Sequence, residues 1–285
     1  MTTTLQAGEL TLTVVSGGTM RVDGGNVFGV VPRSLWQREC TPDELNRIAM
    51  AQNCLLVQGH GRTLLVDAGY GPKWNEKARG HADMQPGNPI VESLAQLGVA
   101  PEQVDTVVLT HLHNDHAGGT TTRDTQGNSS PVFTNARHLV QRIEWDDASG
   151  RLPELAGAYF EQDFVPLMQA GVLDLLDGEA EIIAGMRVTI TGGHTRGHQM
   201  VVFDDGQREI IYPCDLCPTA SHLHTNWCLA YDQHMRETRR VKPAVLGRAA
   251  DRGDTVLFAH DPQTFAATIR RDDRRHFVVD QVLGG

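Results

Sequence analysis

Three histidines and an aspartate fall within the six residues His111-Leu112-His113-Asn114-Asp115-His116, directly after the apolar run Val107-Val108-Leu109. No other stretch limits so sharply what this chain can fold into, because imidazole and carboxylate are first-choice ligands of a borderline divalent metal. Residues two apart at the end of a strand point to the same side, so His111 and His113 can reach one ion together. Asp115 and His116 belong to the turn into the next element and face a slightly different direction. Two neighbouring metals, or one metal with a supporting carboxylate behind it, both fit. The small residues Ala117-Gly118-Gly119 let the backbone turn sharply beside them. A surface histidine cluster is the plain alternative.

The rest of the chain supplies a frame for that stretch. Leu10 to Val15, Asn53 to Val57 and Thr63 to Gly69 read as short strands of a meander, the last ending in Asp67-Ala68-Gly69. Asp23 to Trp36 is too glycine-rich for a helix and too apolar for an idle linker. It reads as a loop that covers a pocket or contacts a partner subunit, or else plugs the core with Phe28 and Trp36. Asn88 to Gly98 carries Ile90, Leu94 and Leu97 at helical spacing between a proline and a glycine, and predicts an amphipathic helix feeding the strand Asp105 to Leu109. A helix that feeds a buried strand points to layered α/β architecture.

Residues 120–130 are polar and aperiodic, hence a surface loop. Val132-Phe133 and His138-Leu139-Val140 read as strands, Glu144 to Ala148 as the start of a helix, and 151–180 as mostly helix and loop. Strand patterns return at 187–190, 200–203, 209–212 and 255–259. Asp232 to Arg240 has helix composition, with Pro243 kinking it or starting a second helix. Several of these runs end at an acid or a histidine. Collecting those strand-end residues gives His111, His113, Asp115, His116, His194, Asp215 and His260, with Asp67 as a further candidate, and in layered α/β folds such loops converge on one edge.

Composition removes other classes. The net charge of -10 argues against a surface that tracks nucleic-acid phosphates. The basic pieces Arg236 to Lys242 and Arg270 to Arg275 read as solvated helix faces. No window of about eighteen apolar residues and no leader pattern is visible, so the expectation is a cytoplasmic protein without a membrane span. Five cysteines make a sparse, odd set, not a disulfide framework.

The pattern His-Leu-His-Asn-Asp-His-Ala-Gly-Gly, then Gly192-Gly193-His194-Thr195-Arg196-Gly197-His198, then a lone Asp215 and a late His260, resembles the metallo-β-lactamase-fold hydrolases. Within them it is most similar to the branch holding N-acyl homoserine lactonases and methyl parathion hydrolase, which often carry a segment like Phe28-Gly29-Val30-Val31-Pro32 early on. The resemblance implies a four-layer αββα sandwich formed by residues 1–285 as one domain. It implies one metal on His111, His113 and His194, a second on Asp115, His116 and His260, and Asp215 bridging them. Asp67 would orient a ligand histidine, and His198 would support structure.

Two divalent ions ~3.5–4 Å apart can share a water, lower its pKa and aim the bridging hydroxide at an electrophilic carbon or phosphorus. Asp115 would pass a proton to the leaving oxygen. Zinc leads as the metal, with iron, manganese and cobalt compatible. The expected substrate is a small lactone or ester, then a phosphotriester, with Phe28 and Trp36 as a wall for its apolar part; a homodimer is left open. Two features depart from the branch. A tyrosine commonly stands three residues after the bridging aspartate, where this chain has Pro218, leaving His222, His224 or Tyr231 to supply the missing donor. Cys214-Asp215-Leu216-Cys217 also forms a C-x-x-C, a pattern open to redox or zinc chemistry. The alternatives are a thioesterase of the hydroxyacylglutathione hydrolase type, which lacks an evident basic patch for its thiol carrier here, and a ligand-sensing member of the fold without turnover.

Overall fold

The computed structural model describes residues 3–155 and 157–284. In chain order the first strands are β1 (Thr4–Ala7), β2 (Leu10–Asp23), β3 (Arg47–Gly59), β4 (Arg62–Val66) and β5 (Thr106–Val108). A separate hairpin, β6 (Thr121–Arg123) with β7 (Ser129–Pro131), occupies what the polar composition predicted to be loop. β8 (Arg137–Gln141) and β9 (Leu173–Leu176) complete a seven-stranded sheet of order β1-β2-β3-β4-β5-β8-β9. Then come β10 (Ala180–Ile183), β11 (Met186–Ile190), β12 (Gln199–Asp204), β13 (Glu209–Tyr212), β14 (Thr255–Leu257), β15 (Ala266–Asp272) and β16 (His276–Gly284), seven strands paired in sequence order. The helices are α1 (Gly24–Phe28), α2 (Arg33–Trp36), α3 (Glu76–Ala82), α4 (Pro89–Gln96), α5 (Asn114–Ala117), α6 (Arg142–Ser149), α7 (Glu161–Gln169) and α8 (Met235–Arg252).

The two-residue period of the strands explains why these sheets stack. Leu55, Val57, Leu64, Val66 and Val108 of the first sheet meet Val188, Val201, Phe203, Tyr212 and Leu257 of the second in one buried cluster. Their neighbours Leu56, Leu65 and Val107 point the other way, onto Ile90 and Leu94 of α4 and Phe164 and Leu167 of α7. Val202, Ile211 and Val256 likewise point outward onto Leu246 and Ala249 of α8. Strands that are apolar on both faces need cover on both faces, and the outcome is four layers, αββα.

Parallel pairings need crossovers: α3 and α4 lie between β4 and β5, α5 and the β6–β7 hairpin between β5 and β8, α6 and α7 between β8 and β9, and α8 between β13 and β14. The crossovers leave the ends of β4, β5, β13 and β14 facing one edge of the sandwich.

Several expectations are corrected. Asp23 to Trp36 is not loop but two short helices, because the Asp23 carboxylate accepts the Gly25 N–H at 2.7 Å and caps α1. Phe28 and Trp36 are fully buried with Ile48, Met50 and Leu229, so neither can wall a substrate. Val132-Phe133 is not a strand; Phe133 packs into the outer core instead. Pro243 lies inside the continuous helix α8, where the carbonyl it leaves without an intrahelical donor belongs to exposed Arg239. Arg270 to Arg275 forms the β15–β16 hairpin rather than a helix face. Lys242 is buried, not solvated, and its ammonium donates to the Trp227 carbonyl. No helix among the described residues is long and apolar enough to cross a membrane.

Candidate metal centre

All seven strand-end candidates meet at that edge. His111, His113, Asp115 and His116 follow β5, His194 follows β11, Asp215 follows β13 and His260 follows β14. The turn carrying the first four lies against the β4 turn so closely that a Cβ on Gly119 would sit 2.0 Å from the Ala68 carbonyl oxygen, and one on Gly118 2.3 Å from that of Tyr70. Glycine is required at both.

Donor atoms of His111, His113 and His194 lie within 4.8 Å of one another, as do those of Asp115, His116 and His260. His113 Nδ1 is 3.1 Å from His111 Nε2 and 3.0 Å from His194 Nε2. His116 and His260 face each other Nε2 to Nε2 at 3.2 Å. Asp215 stands between the groups, with Oδ2 3.0 Å from His194 Nε2 and Oδ1 2.8 Å from His260 Nε2. The six apart from Asp115 are buried; the Asp115 side chain keeps 18 % of its exposure and opens on a cleft.

The outward nitrogens decide what the inward ones can do. His260 Nδ1 donates to the Ala51 carbonyl at 2.9 Å, which fixes its proton there and leaves Nε2 as a bare lone pair. His116 Nδ1 meets Asp67 Oδ2 at 3.0 Å and His194 Nδ1 meets Asp232 Oδ1 at 2.8 Å, the same arrangement twice. Converging lone pairs at about 3 Å repel unless a proton or a cation lies among them, so this donor set fits divalent metal on both sides of Asp215.

The electrostatics agree. Burial, helped by the neighbouring imidazoles, holds His111 and His113 well below their ordinary pKa. Burial also opposes charge on His116, His194 and His260. It is outweighed at His116 by Cys214, Asp115, Asp215 and Asp67, and at His194 and His260 chiefly by Asp215, so all three are raised. Burial would lift Asp215, but His260, His194 and His116 keep it well below the carboxylate range.

Asp67 also accepts from Thr110, at 2.8 Å from its N–H and 2.9 Å from its hydroxyl, and Thr110 Oγ1 lies 3.1 Å from His111 Nδ1. Asp67 and Cys214 both sit at positive φ, 57° and 49°, strain that clusters where a site is held. His198 Nδ1 bonds the Thr191 hydroxyl and its Nε2 accepts the Asp215 N–H at 3.2 Å, so its lone pair is spent on positioning Asp215. The C-x-x-C does not act as a pair. Cys214 faces the core between the sheets and Cys217 the core under α8, and both thiols are free.

Of the three proposed replacement donors, His222 is buried with its ring nitrogens on Thr219 and the Val27 carbonyl, and His224 stacks on Trp227. Tyr231 alone reaches the cleft, a cavity of about 560 Å³ lined by Met20, Val22, Asn26, Leu155 and Tyr231 above His113 and Asp115. Asp232 was missed from the sequence because no strand precedes it. Glu144, which accepts from the Leu112 N–H and the Thr195 hydroxyl, was hidden in a helical pattern.

The profile of the metallo-beta-lactamase superfamily matches residues 47–260. The chain belongs to that superfamily. An N-acyl homoserine lactonase of Bacillus thuringiensis is 29% identical over 118 residues, 41% of this chain and 40% of its own length, so this chain aligns with less than half of that relative. The N-acyl homoserine lactonase AiiB of Agrobacterium fabrum (strain C58 / ATCC 33970) is 27% identical across 92% of this chain and 97% of its own. The crystal structure of a probable metal-dependent hydrolase from Staphylococcus aureus superimposes with a TM-score of 0.86 at 26% identity, covering 98% of this chain and 100% of that one. The chain therefore has the metallo-β-lactamase fold that the resemblance implied.

Proposed function

We propose that this chain is a metal-dependent hydrolase of one domain, residues 1–285, with one divalent ion on His111, His113 and His194, a second on Asp115, His116 and His260, and Asp215 shared. The observation that carries this is the division of the Asp215 carboxylate, one oxygen 3.0 Å from His194 and the other 2.8 Å from His260. Nitrogen and oxygen donors favour zinc, with iron, manganese and cobalt as substitutes. Bound there, the two ions supply water activated at neutral pH and polarise the bond to be cleaved.

The chain's own groups do the rest. Asp215 holds the two donor groups in fixed relation. Asp115, the one carboxylate of the set open to the cleft, accepts the proton released as water adds to the carbonyl carbon and passes it to the oxygen that leaves when the C–O bond breaks. The cleft lies in the size range of small-molecule sites, has the apolar walls Met20, Val22 and Leu155, and carries Glu154 but no Lys or Arg among the described residues. That favours an uncharged acyl group with an oxygen leaving group, a lactone or ester first and a phosphotriester second, and disfavours an anionic thiol carrier. Relatives named N-acyl homoserine lactonase support the same choice. The free cysteines favour a reducing compartment such as the cytoplasm, and the acidic net charge favours action without nucleic acid.

Protein purified without chelators should carry about two ions per chain and hydrolyse lactones or aryl esters in a screen that includes phosphotriesters and thioesters. A stable content of one ion after metal soaking would sink the shared-carboxylate centre. Thioester turnover orders of magnitude faster than any oxygen ester would replace the reading with a thioesterase.

A further inference from the structure

Another cavity borders the loop that carries His260 and shares no lining residue with the cleft. It encloses about 460 Å³, inside the range of small-molecule sites, and five stretches wall it: 39–41, 48–50, 219–224, 261–264 and 275–279. The buried side chains of Met50, Leu223 and Phe277 give it an apolar face. Cys40 and Ser221 give it a polar one, and the 3.8 Å between their Sγ and Oγ leaves most of their hydrogen-bonding capacity free.

How the cavity treats charge defines what it can hold. Arg275 faces Glu39 at 3.0 Å. The Asp261 carboxylate accepts three backbone N–H groups, from Ala220 at 3.0 Å, Gln263 at 2.9 Å and Thr264 at 2.8 Å. Burial, with Arg275 beside it, holds His224 below its ordinary pKa and keeps the imidazole neutral. Each charge is thus balanced by the protein, and a ligand bringing its own would go unpaired or break one of these pairs.

The walls also hold a metal donor. His260 donates from Nδ1 to the Ala51 carbonyl and from its backbone N–H to the Pro218 carbonyl, at 2.9 Å each, and its own carbonyl accepts the Ala51 N–H at 3.1 Å. Ala51 follows Met50, Pro218 precedes Thr219 and Asp261 follows His260, so each of these partners is joined to a residue that lines the cavity. A molecule that bridges the five stretches favours the arrangement in which they are in register, and that arrangement keeps His260 aimed at its ion.

We propose that this cavity is a second binding site, for a small uncharged molecule with an alkyl or aryl body and one hydroxyl or carbonyl oxygen, and that filling it tightens the ion held by Asp115, His116 and His260. The site is independent of the hydrolase reading above; the tightening rests on the second donor group of that reading.

Cys40 supplies the test, because it is the one cysteine of the five that is not buried. Its alkylation by iodoacetamide at mildly alkaline pH, followed by mass spectrometry of the metal-loaded protein, should slow about fivefold or more in saturating benzyl alcohol. Benzoate and benzylamine, probes of similar size that carry a charge, should change it by less than about twofold. Competition with a chromophoric chelator should show one ion held roughly five- to tenfold more tightly in benzyl alcohol and the other unchanged, and by linkage metal-stripped protein should bind benzyl alcohol more weakly by the same factor. In Ala49→Phe, which puts a ring at the cavity wall, neither the alkylation nor the ion should respond to benzyl alcohol. Equal protection by all three probes, protection by none, or a response that persists in Ala49→Phe overturns the assignment. Protection with both ions unmoved overturns the coupling. If the protein holds no metal and benzyl alcohol still protects Cys40, the metal-centre reading falls and the binding site stands.

Discussion

The two halves of the centre are built differently. His111, His113 and His194 are all imidazole, all buried, and backed by Thr110 and by the buried carboxylate Asp232. Asp115, His116 and His260 mix a carboxylate open to the cleft with two imidazoles, backed by Asp67 and by a backbone carbonyl. The first group has no carboxylate and meets the cleft only at His113; the second includes a carboxylate that opens on it. A more deeply buried nitrogen site should hold its ion tightly and exchange it slowly, and a mixed site with its carboxylate in the cleft should exchange faster while offering the proton relay that chemistry there requires.

The largest effect should come from erasing what the halves share. Asp215→Ala is expected to lose at least one ion per chain and to lower hydrolysis by about three orders of magnitude or more, whereas Cys217→Ser should change either by less than about twofold. Elemental analysis and steady-state rates check this, and a more damaging cysteine change would put the C-x-x-C first. Next is the order of release. Under limiting chelator, one ion should leave well before the other, with residual metal retained by the all-histidine half. Spectroscopy of the cobalt-loaded protein follows it, and simultaneous loss would break the contrast.

Smaller effects are expected behind the ligands. Asp232→Asn should weaken one ion by roughly 10- to 100-fold and leave the other near its wild-type affinity, while Asp67→Asn should weaken the opposite one. Competition titrations with a chromophoric chelator would show whether the two carboxylates serve separate ions. Equal effects on both ions would merge the halves into one unit.

The smallest effect belongs to a histidine outside either half. His138 is buried, with neither ring nitrogen partnered among the described residues, and burial pushes it down to about 4. Its unfolded imidazole charges near the ordinary 6.5, so between those values the unfolded chain binds more protons. The stability it contributes is complete above about pH 6.5 and drains away as pH falls toward 4. In chelator-treated protein, the melting temperature of His138→Leu should fall less steeply than that of wild type over this window. Identical slopes would mean that the acid sensitivity comes wholly from the metal donors.

The strands were legible wherever both faces are apolar, as at Leu64-Leu65-Val66 or Val201-Val202-Phe203, since a continuous apolar run leaves few other fates. The candidate donors were legible because they follow such runs. Asp232 was not, for it precedes a helix and has a carboxylate no different in sequence from a solvated one. Nor was α1: Gly24 is needed there because the Trp36 ring would lie 2.4 Å from its Cβ, a demand made by a residue twelve positions away. Lys242 looked solvated inside a basic run because nothing local reveals that Trp227 offers it a carbonyl. In each case the deciding partner is distant in sequence.

Each donor group draws from both sheets. His111 and His113 hang from the first and His194 from the second; Asp115 and His116 hang from the first and His260 from the second. An ion taken by either group therefore fastens the sandwich along one edge, like a rivet through two plates. Prying the sheets apart there would break both coordination sets at once, so occupancy and the docking of the two sheets become a single equilibrium, and metal concentration sets how tightly the layers stay closed.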